Sequence, residues 1–517
     1  MLLRFFKKPL PFLTTLLFYS FISFLLFHKP LWDYILKHGG GWGVVISVTI
    51  AYICTTNMVL AALSLLGNKC MQAVFAFLTL CNALAFYFIH TYHVFLTRAM
   101  MGNVFNTNTH EAGAFLGGNL WFYGLLGLGL AGLFYAIPIA KPKLKTQAGI
   151  FLGSALVFFI WSFTHAKQWL FLDHHAKNIG GLALPYSYSI NALRVALHAI
   201  QQSPPKLLEN TPIHAHNTIV VLAIGESARR ANYGIYGYPR ATTPKLQKRM
   251  DNHEILALKA TSCATYTTAA LACMLAPKAG YENLPSFLHR QGVKVVWLSL
   301  NDAEPPMKID WKPPLSLWQE WLKQKGIDPQ ILSFDEALAL ALPHVLERYP
   351  KDNVLIILHL KGSHGPLYVD KVPPHFAPFK PLCTHSEPNA CSVESLVNAY
   401  DNTIAYNDQV LDRMVDTLQH SPKPALLLYM SDHGESLGEH GMYLHGTPYL
   451  IAPDFQKQVP FIVYANNAFK ATHHFKPIVQ DYQQSVIFSS ILGAFGAQKP
   501  CNAYTPDLDI FKAHEEH

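Results

Sequence analysis

Glu226, Asp432, His433, His364 and His445 stand where a chain of this kind could do chemistry. Glu226 comes almost directly after the apolar run 218–224 (TIVVLAI), and Asp432 with His433 follows 424–430 (PALLLYM) as closely. His364 lies a short turn after 354–360 (VLIILHL), and His445 sits in the Gly-rich loop beyond His433. A carboxylate, a second carboxylate with an imidazole, and a hydroxyl make a Zn²⁺ site. We assign Glu226, Asp432 and His433 as its ligands. Carboxylate-rich sets also take Mn²⁺ or Mg²⁺, and His433 favours zinc. The hydroxyl belongs to 261–275 (TSCATYTTAALACML). After residue 265 that stretch reads as a helix, with Thr265, Thr267 and Thr268 in its first turns. Free N–H groups and the helix dipole favour a phosphate there. An alcohol becomes a competent nucleophile when a metal coordinates it. A threonine at a helix start is also a common cap, so the three stay open on spacing alone. His364 (in GSHGP) and His445 (in LHG) can donate to phosphoryl oxygens, protonate a leaving group, or hold a second metal.

The elements that position these residues are short β-favouring runs at 218–224, 293–300 (VKVVWLSL), 354–360, 424–430 and 459–464 (VPFIVY). Such runs are typical of buried parallel strands. Helical patterns lie between them, including 243–250 and 394–420. The fold expected from residue 216 to 517 is therefore an α/β/α sandwich about a mostly parallel sheet, whose sites lie outside the carboxyl ends of strands.

The first third of the chain is of another kind. Of 517 residues, 50% are hydrophobic and 14% charged, against roughly a quarter charged in an average soluble domain. The apolar excess concentrates in five stretches, 10–28, 42–66, 72–96, 115–140 and 148–164. A span needs about 20 mostly apolar residues. Five in succession with short polar joints read as a five-helix transmembrane domain over 1–164, not as buried soluble helices. The first run is longer than a signal core and lacks a small-residue cleavage site, so it reads as a retained anchor. Arg4, Lys7, Lys8, Lys69, Lys141, Lys143 and Lys145 fall on one side, and Lys29, Lys37 and Arg98 on the other. The positive-inside rule then puts the N-terminus inside and everything after about 165 outside. For a bacterial inner membrane that is the periplasm.

Two further segments bear on a lipid substrate. In the outer loop 97–114, Asn103, Thr107 and Glu111 are spaced by four and share a face if helical. Residues 165–215 read as a bridge, with Trp169, Leu170, Phe171 and Leu172 as apolar contacts to the membrane surface. The cysteines fit an oxidising outer compartment. We expect bonds Cys263–Cys273 and Cys383–Cys391, with free thiols as the alternative and Cys501 left without a partner. A net charge of +7 suits anionic lipid weakly and, with no recognition motif, does not point to nucleic acid.

Taken in order, several motifs make the chain resemble the phosphoethanolamine transferases that modify lipid A or the lipopolysaccharide core. They are GES at 225–227, NYGIYGYPRATTP at 232–244, and the Cys263, Thr267, Cys273 frame. GSHGP at 362–366, NAYDN at 398–402 and SDHGESLGEHGMYLHGTPY at 431–449 complete the set. The resemblance covers nearly the whole chain and implies an inner-membrane enzyme with an alkaline-phosphatase-like (sulfatase-like) catalytic domain. It implies that Thr267 is the nucleophile and, with Glu226, Asp432 and His433, a zinc ligand. One zinc is expected, with room for a second. It places His364, His445 and Glu435 at the adjacent phosphate or second-metal site, and Asn103, Thr107 and Glu111 in head-group binding. Both cysteine pairs match bonds of that family. The implied reaction moves phosphoethanolamine from phosphatidylethanolamine to lipid A or lipopolysaccharide through phosphoethanolamine-threonine, releasing diacylglycerol. The partners are thus membrane lipids, and a monomer is expected.

The chain departs from the family where a Gly-Cys-Lys-Gly-type segment is usual. Here NDAEPPMK (301–308) has no cysteine, and Lys308 does not match in spacing. Alternatives are transfer to a core sugar or a glucan, a phosphoglycerol transferase, and a sulfatase-like hydrolase.

Overall fold

The structure, a computed structural model, describes residues 9–106, 119–200, 204–301, 304–476, 481–498 and 501–512. The chain divides into two compact units, one spanning most of residues 1–200 and the other most of 201–517.

In the first unit the apolar runs become helices Phe12–Phe27, Gly41–Leu63, Asn68–Tyr92, Leu120–Ala136 and Leu144–Thr164. Three are long and apolar enough to cross a membrane by length and composition: Gly41–Leu63 with its 3-10 extension to Leu66, Asn68–Tyr92, and Leu144–Thr164. A fourth is reached if Phe12–Phe27 is joined to Lys29–Lys37 across a 62° bend. Leu120–Ala136 has only 17 residues, about 25 Å at 1.5 Å per residue, against a core of about 30 Å. Pro138 follows its end closely and cannot continue a helix. The five long spans expected from the sequence are thus three or four in the described residues.

These helices turn large apolar side chains outward, as Leu125, Leu152 and Phe163 do, and pair their polar ones inside. Ser20 donates to Asn57 (2.8 Å), and Tyr188 donates to Asn82 (3.0 Å). Such hydrogen bonds hold helices together where apolar surface supplies no driving force. The bridge region forms helices Ala166–His174, Ala176–Leu182 and Tyr186–Ile200 within the same unit. Leu172 is buried there with Leu31 and Ile35, and Trp169 and Phe171 pack against that cluster.

The second unit is built on β1 (Ile219–Gly225), β2 (Ile255–Thr261), β3 (Lys294–Ser299), β4 (Val354–His359), β5 (Ala425–Ser431), β6 (Ser436–Leu437), β7 (Tyr443–Leu444), β8 (Gln458–Ala465), β9 (His474–Phe475) and β10 (Tyr482–Gln483). Seven of these form one sheet in the order β10-β2-β8-β5-β1-β4-β3. All pairings are parallel except those of β8, which runs antiparallel to both β2 and β5. Period-two alternation divides β1 between the two faces. Val221 and Ala223 pack with Leu411 and Val415 of helix Val393–Gln419. Val220, Leu222 and Ile224 pack with Phe287 and Phe488 on the other. Each buried aliphatic side chain of this kind contributes roughly 1.5–3 kcal/mol. The sandwich is the expected α/β/α one. Run 459–464, which reads as another parallel strand, is reversed, so its amino end and not its carboxyl end meets the functional rim.

Candidate active site

The rim is formed by the carboxyl ends of β1, β2, β3, β4 and β5. Glu226 is the residue after β1, and Asp432 and His433 follow β5. The turns after β1 and β4 lie back to back. Ser363 N donates to Glu226 O at 2.8 Å. A Cβ on Gly362 would come within 2.4 Å of that same oxygen, and its φ of +57° suits glycine. Only glycine lets the loop carrying His364 approach Glu226 this closely.

Thr267 opens the helix Thr267–Met274, which follows β2 by a short loop. The disulfide Cys263–Cys273 (Cα–Cα 6.3 Å) brackets it, and Cys383–Cys391 closes the second expected pair (Cα–Cα 5.6 Å). Cys501 keeps a free thiol 3.1 Å from the Thr211 hydroxyl. Gln484 ties the loop before Thr267 to the end of β5: it accepts from Cys263 N (3.1 Å) and donates to Ser431 O (3.0 Å) and Asp432 O (2.8 Å).

Of the three candidate threonines, Thr267 meets the acidic cluster. Its Oγ1 donates to Glu226 Oε2 (3.0 Å) and lies 3.3 Å from His433 Nε2. Thr265 instead donates to Thr447 O at 2.6 Å, which holds the Gly-rich loop against the helix start. His433 Nε2 is 3.2 Å from Glu226 Oε1 and 3.3 Å from Asp432 Oδ2. Its Nδ1 donates to Gly434 O (2.9 Å), which fixes the ring and leaves Nε2 facing Glu226 and Asp432.

Asp432 Oδ1 accepts from Ser227 N and His433 N. Its Oδ2 is buried with no hydrogen-bond partner among the described residues. Burial and the neighbouring Glu226 push the Asp432 carboxyl well above its ordinary pKa. Burial also acts to raise Glu226, but its hydrogen bond to His433 and the charges of His433, His364 and His445 outweigh it, and its pKa falls. For His433, burial acts to lower the pKa and the bond to Glu226 overrides it. Two carboxylates and an imidazole nitrogen converge here on one point with an unsatisfied oxygen. A divalent cation satisfies that arrangement, and the donor set of two oxygens and one nitrogen suits zinc.

A second group, His433, Glu435 and His445, adjoins the first. Glu435 is fully buried, accepting from Tyr368 OH (2.9 Å) and His445 Nδ1 (2.8 Å). His364 lies with its ring centroid 5.2 Å from that of His445 and donates from Nδ1 to Gly365 O (2.7 Å). Burial, opposed by Glu226 and aided by His445 and Lys371, lowers the His364 pKa to about 4. The imidazole is neutral at neutral pH, with Nε2 able to accept a proton.

Asn103 lies in the helix Arg98–Asn106, while Thr107 and Glu111 fall outside the described residues. Lys308 is exposed, in a hollow with His289 and Met307, and does not join the cluster. Asn301 does: its Nδ2 donates to Glu226 Oε2 at 2.8 Å. The strand-end rule that found Glu226 would have found Asn301, two residues after β3. Tyr368 carried no such signal.

A buried carboxylate–imidazole cluster on the rim of a mostly parallel sheet, facing a hydroxyl at a helix start, defines a sulfatase-like catalytic domain, and residues 218–497 match the Sulfatase family. Residues 52–200 match the family described as Phosphoethanolamine transferase EptA/EptB. Phosphoethanolamine transferase EptA of Helicobacter pylori is 43% identical over 99% of this chain and 98% of that protein. The Salmonella typhimurium EptA is 30% identical over 96% of each. Among solved structures, the integral membrane lipooligosaccharide phosphoethanolamine transferase A (EptA) from Neisseria meningitidis has a TM-score of 0.86 at 25% identity, covering 98% of this chain and 99% of that one. The chain belongs to the EptA phosphoethanolamine transferase family. It is a multi-pass inner-membrane protein with its catalytic domain in the periplasm.

Proposed function

We propose that the protein transfers phosphoethanolamine from phosphatidylethanolamine to lipid A through a covalent intermediate on Thr267, releasing diacylglycerol. The observation that carries this reading is the convergence of Thr267 Oγ1 on Glu226 and His433 beside the unsatisfied Asp432 oxygen. The transferred group is the one named in its relatives, Phosphoethanolamine transferase EptA and a lipooligosaccharide phosphoethanolamine transferase; phosphatidylethanolamine as donor and lipid A as acceptor belong to the proposal.

Glu226, Asp432, His433 and Thr267 would hold one Zn²⁺, and the His433, Glu435, His445 group offers donors for a second. Bound zinc would supply Lewis-acid chemistry at the hydroxyl and the phosphoryl oxygens. The chain's own residues do the rest. Thr267 Oγ1 gives its proton to Glu226 Oε2, to which it is hydrogen-bonded, and attacks phosphorus, and the bond from phosphorus to the glycerol oxygen breaks. The electron pair leaves with that oxygen, which takes a proton from His445 Nε2. Glu435 holds His445 in place through its bond to Nδ1. In the second half-reaction an acceptor oxygen attacks the same phosphorus and the bond to Thr267 Oγ1 breaks. Neutral His364 takes the acceptor's proton at Nε2 and passes it to His445, whose ring centroid is 5.2 Å away, and the Thr267 oxygen takes its proton back from Glu226.

The same reading assigns five spans to residues 1–164, a bridge to 165–215 and the catalytic domain to 216–517. It gives Asn103, Thr107 and Glu111 to head-group binding and expects a monomer.

A second acceptor is favoured by one observation. A Salmonella typhimurium protein described as Kdo(2)-lipid A phosphoethanolamine 7''-transferase is 31% identical over 56% of this chain and 53% of that protein. That points to a core sugar hydroxyl. Mass spectrometry of lipids from cells with and without the protein separates the two. Added phosphoethanolamine on lipid A supports the first reading. Addition on core sugar alone supports the second, and no addition to either contradicts both.

A further inference from the structure

We propose that the catalytic domain carries its own lipid anchor: turn 448–452 seats Leu450 and Ile451 in the periplasmic surface of the bilayer and holds the rim at that surface. This rests on the reaction proposed above in taking the substrates to be membrane lipids.

The turn follows His445 and stands on the loop that carries Thr267. Gly446 N donates to Thr265 O (2.7 Å), and Thr265 Oγ1 donates to Thr447 O (2.6 Å). Thr447 N donates to Gln456 Oε1 (3.2 Å), and Tyr449 OH donates to Ser262 O (2.9 Å). The turn closes on itself, because Ile451 N and Ala452 N both donate to Pro448 O (2.9 and 3.0 Å). Thr265 lies two residues before Thr267, so no more than about 7 Å of chain separates the base of the turn from the candidate nucleophile.

The tip of this braced turn is apolar and uncovered. Leu450 is 89% exposed and Ile451 43%, while Pro448 and Ala452 beneath them are buried. Asp454, the nearest carboxylate along the chain, is ion-paired with Lys457 (3.1 Å), so those two charges offset one another. A lone exposed leucine is ordinary on a protein surface. The distribution here is not. Among the described residues after 200, eight large apolar side chains are exposed, and five of them are Leu315, Leu317, Tyr449, Leu450 and Ile451. Those five fall in two segments that border the reactive cluster. Leu315 lines the hollow that Asn301 and His364 also line, and the turn stands on the Thr267 loop.

That position decides what meets the surface. The phosphorus of a membrane lipid lies at head-group level, just outside the hydrocarbon, and must reach Thr267. The surface beside Thr267 therefore comes to the bilayer, where an apolar element sinks about 5–10 Å to the acyl boundary. Tyr449, with an apolar ring and a bonded hydroxyl, is of the type enriched at that interface. A turn already held by hydrogen bonds has little freedom left to lose on entering it. A soluble protein partner gives no reason for apolar exposure to gather where a lipid's phosphorus enters.

The test uses the full chain in phosphatidylethanolamine-containing vesicles. Leu450→Cys, and Leu508→Cys as a control away from the rim, carry a nitroxide, with the signal of the unsubstituted chain subtracted. The label at 450 should be more open to oxygen than to a water-soluble nickel chelate, and the label at 508 the reverse. In the same vesicles Leu450→Asp should slow formation of the Thr267 adduct about tenfold. Leu450→Trp and Leu508→Asp should keep the wild-type rate. With dihexanoyl phosphatidylethanolamine supplied as monomers in water, Leu450→Asp should match the wild type. A label at 450 as open to nickel as that at 508 overturns the proposal. So does a label shielded from both reagents, which would put a protein over the turn. An equal loss with the monomeric donor also overturns it, since the turn would then act on the site and not on the bilayer. If the wild type forms no adduct, the reading of the reaction fails, and the nitroxide still decides the anchor.

Discussion

The two imidazole–carboxylate groups on the rim share His433 and differ in how their oxygens are satisfied. In the group of Glu226, Asp432 and His433, one buried carboxylate oxygen, Asp432 Oδ2, has no hydrogen-bond partner among the described residues. In the group of His433, Glu435 and His445, both Glu435 oxygens are used, one by Tyr368 and one by His445. The first group is incomplete without a cation. The second is complete as a hydrogen-bonded set that orients His445. Under the proposed reaction the two groups would do different work: the first would hold a metal against Thr267, and the second would orient His445 toward the leaving group. On that reading one metal is required and a second is not.

The largest expected effect is from Glu226→Gln or Asp432→Asn. Each should lower zinc affinity by more than the roughly 10–100-fold seen when an outer-shell partner is lost, and abolish turnover. Zinc titration of purified protein checks this, and unaltered affinity would undo the contrast. Next comes Tyr368→Phe, which removes one bond to Glu435 and leaves every metal-group atom in place. A fall in kcat of about tenfold with zinc affinity unchanged is expected; a fall in zinc affinity would make the second group a metal site as well. Asn301→Ala should cost less, a few-fold in kcat with some loss of zinc affinity, because Glu226 keeps its bonds to Thr267 and His433.

The smallest effect is a pH control far from the rim. Asp509 is buried and hydrogen-bonded to Phe511 N and Tyr504 OH. Burial lifts its pKa to about 7 despite those bonds and Lys476. Its folded pKa exceeds its unfolded value of roughly 4. The resulting stabilisation is fully present below about pH 4 and is lost progressively as pH rises to about 7. Asp509→Asn should flatten the dependence of the thermal midpoint on pH between about 4 and 7. An unchanged slope would mean that burial alone does not govern such carboxyls, which weakens the same argument for Asp432.

The sequence was most readable where one physical constraint acted alone. Strands buried on both faces read as plain apolar runs, and β1, β3, β4 and β5 sit where those runs predict. β2 (ILALKAT) mixes buried, half-buried and exposed positions and carries Lys259, so it lacks that signature, and the strand leading to Thr267 was missed. The direction of β8 is set by the loop that returns from β5 across the rim, which its own residues do not encode. Glu226, Asp432 and His433 were legible because they follow strands. Among the threonines spacing could not choose, since the choice depends on which hydroxyl faces Glu226 across 41 residues of chain. Tyr368 was invisible for the same reason: its value lies in reaching Glu435, 67 residues away.

The most direct test of the central claim is to trap the first half-reaction. Purified protein with zinc is incubated with phosphatidylethanolamine labelled in its head group, without acceptor, and the peptide containing Thr267 is analysed by mass spectrometry. The expected result is a phosphoethanolamine adduct on Thr267 in the wild type and none in Thr267→Ala. Equal labelling of both proteins, or an adduct on another residue, would contradict it.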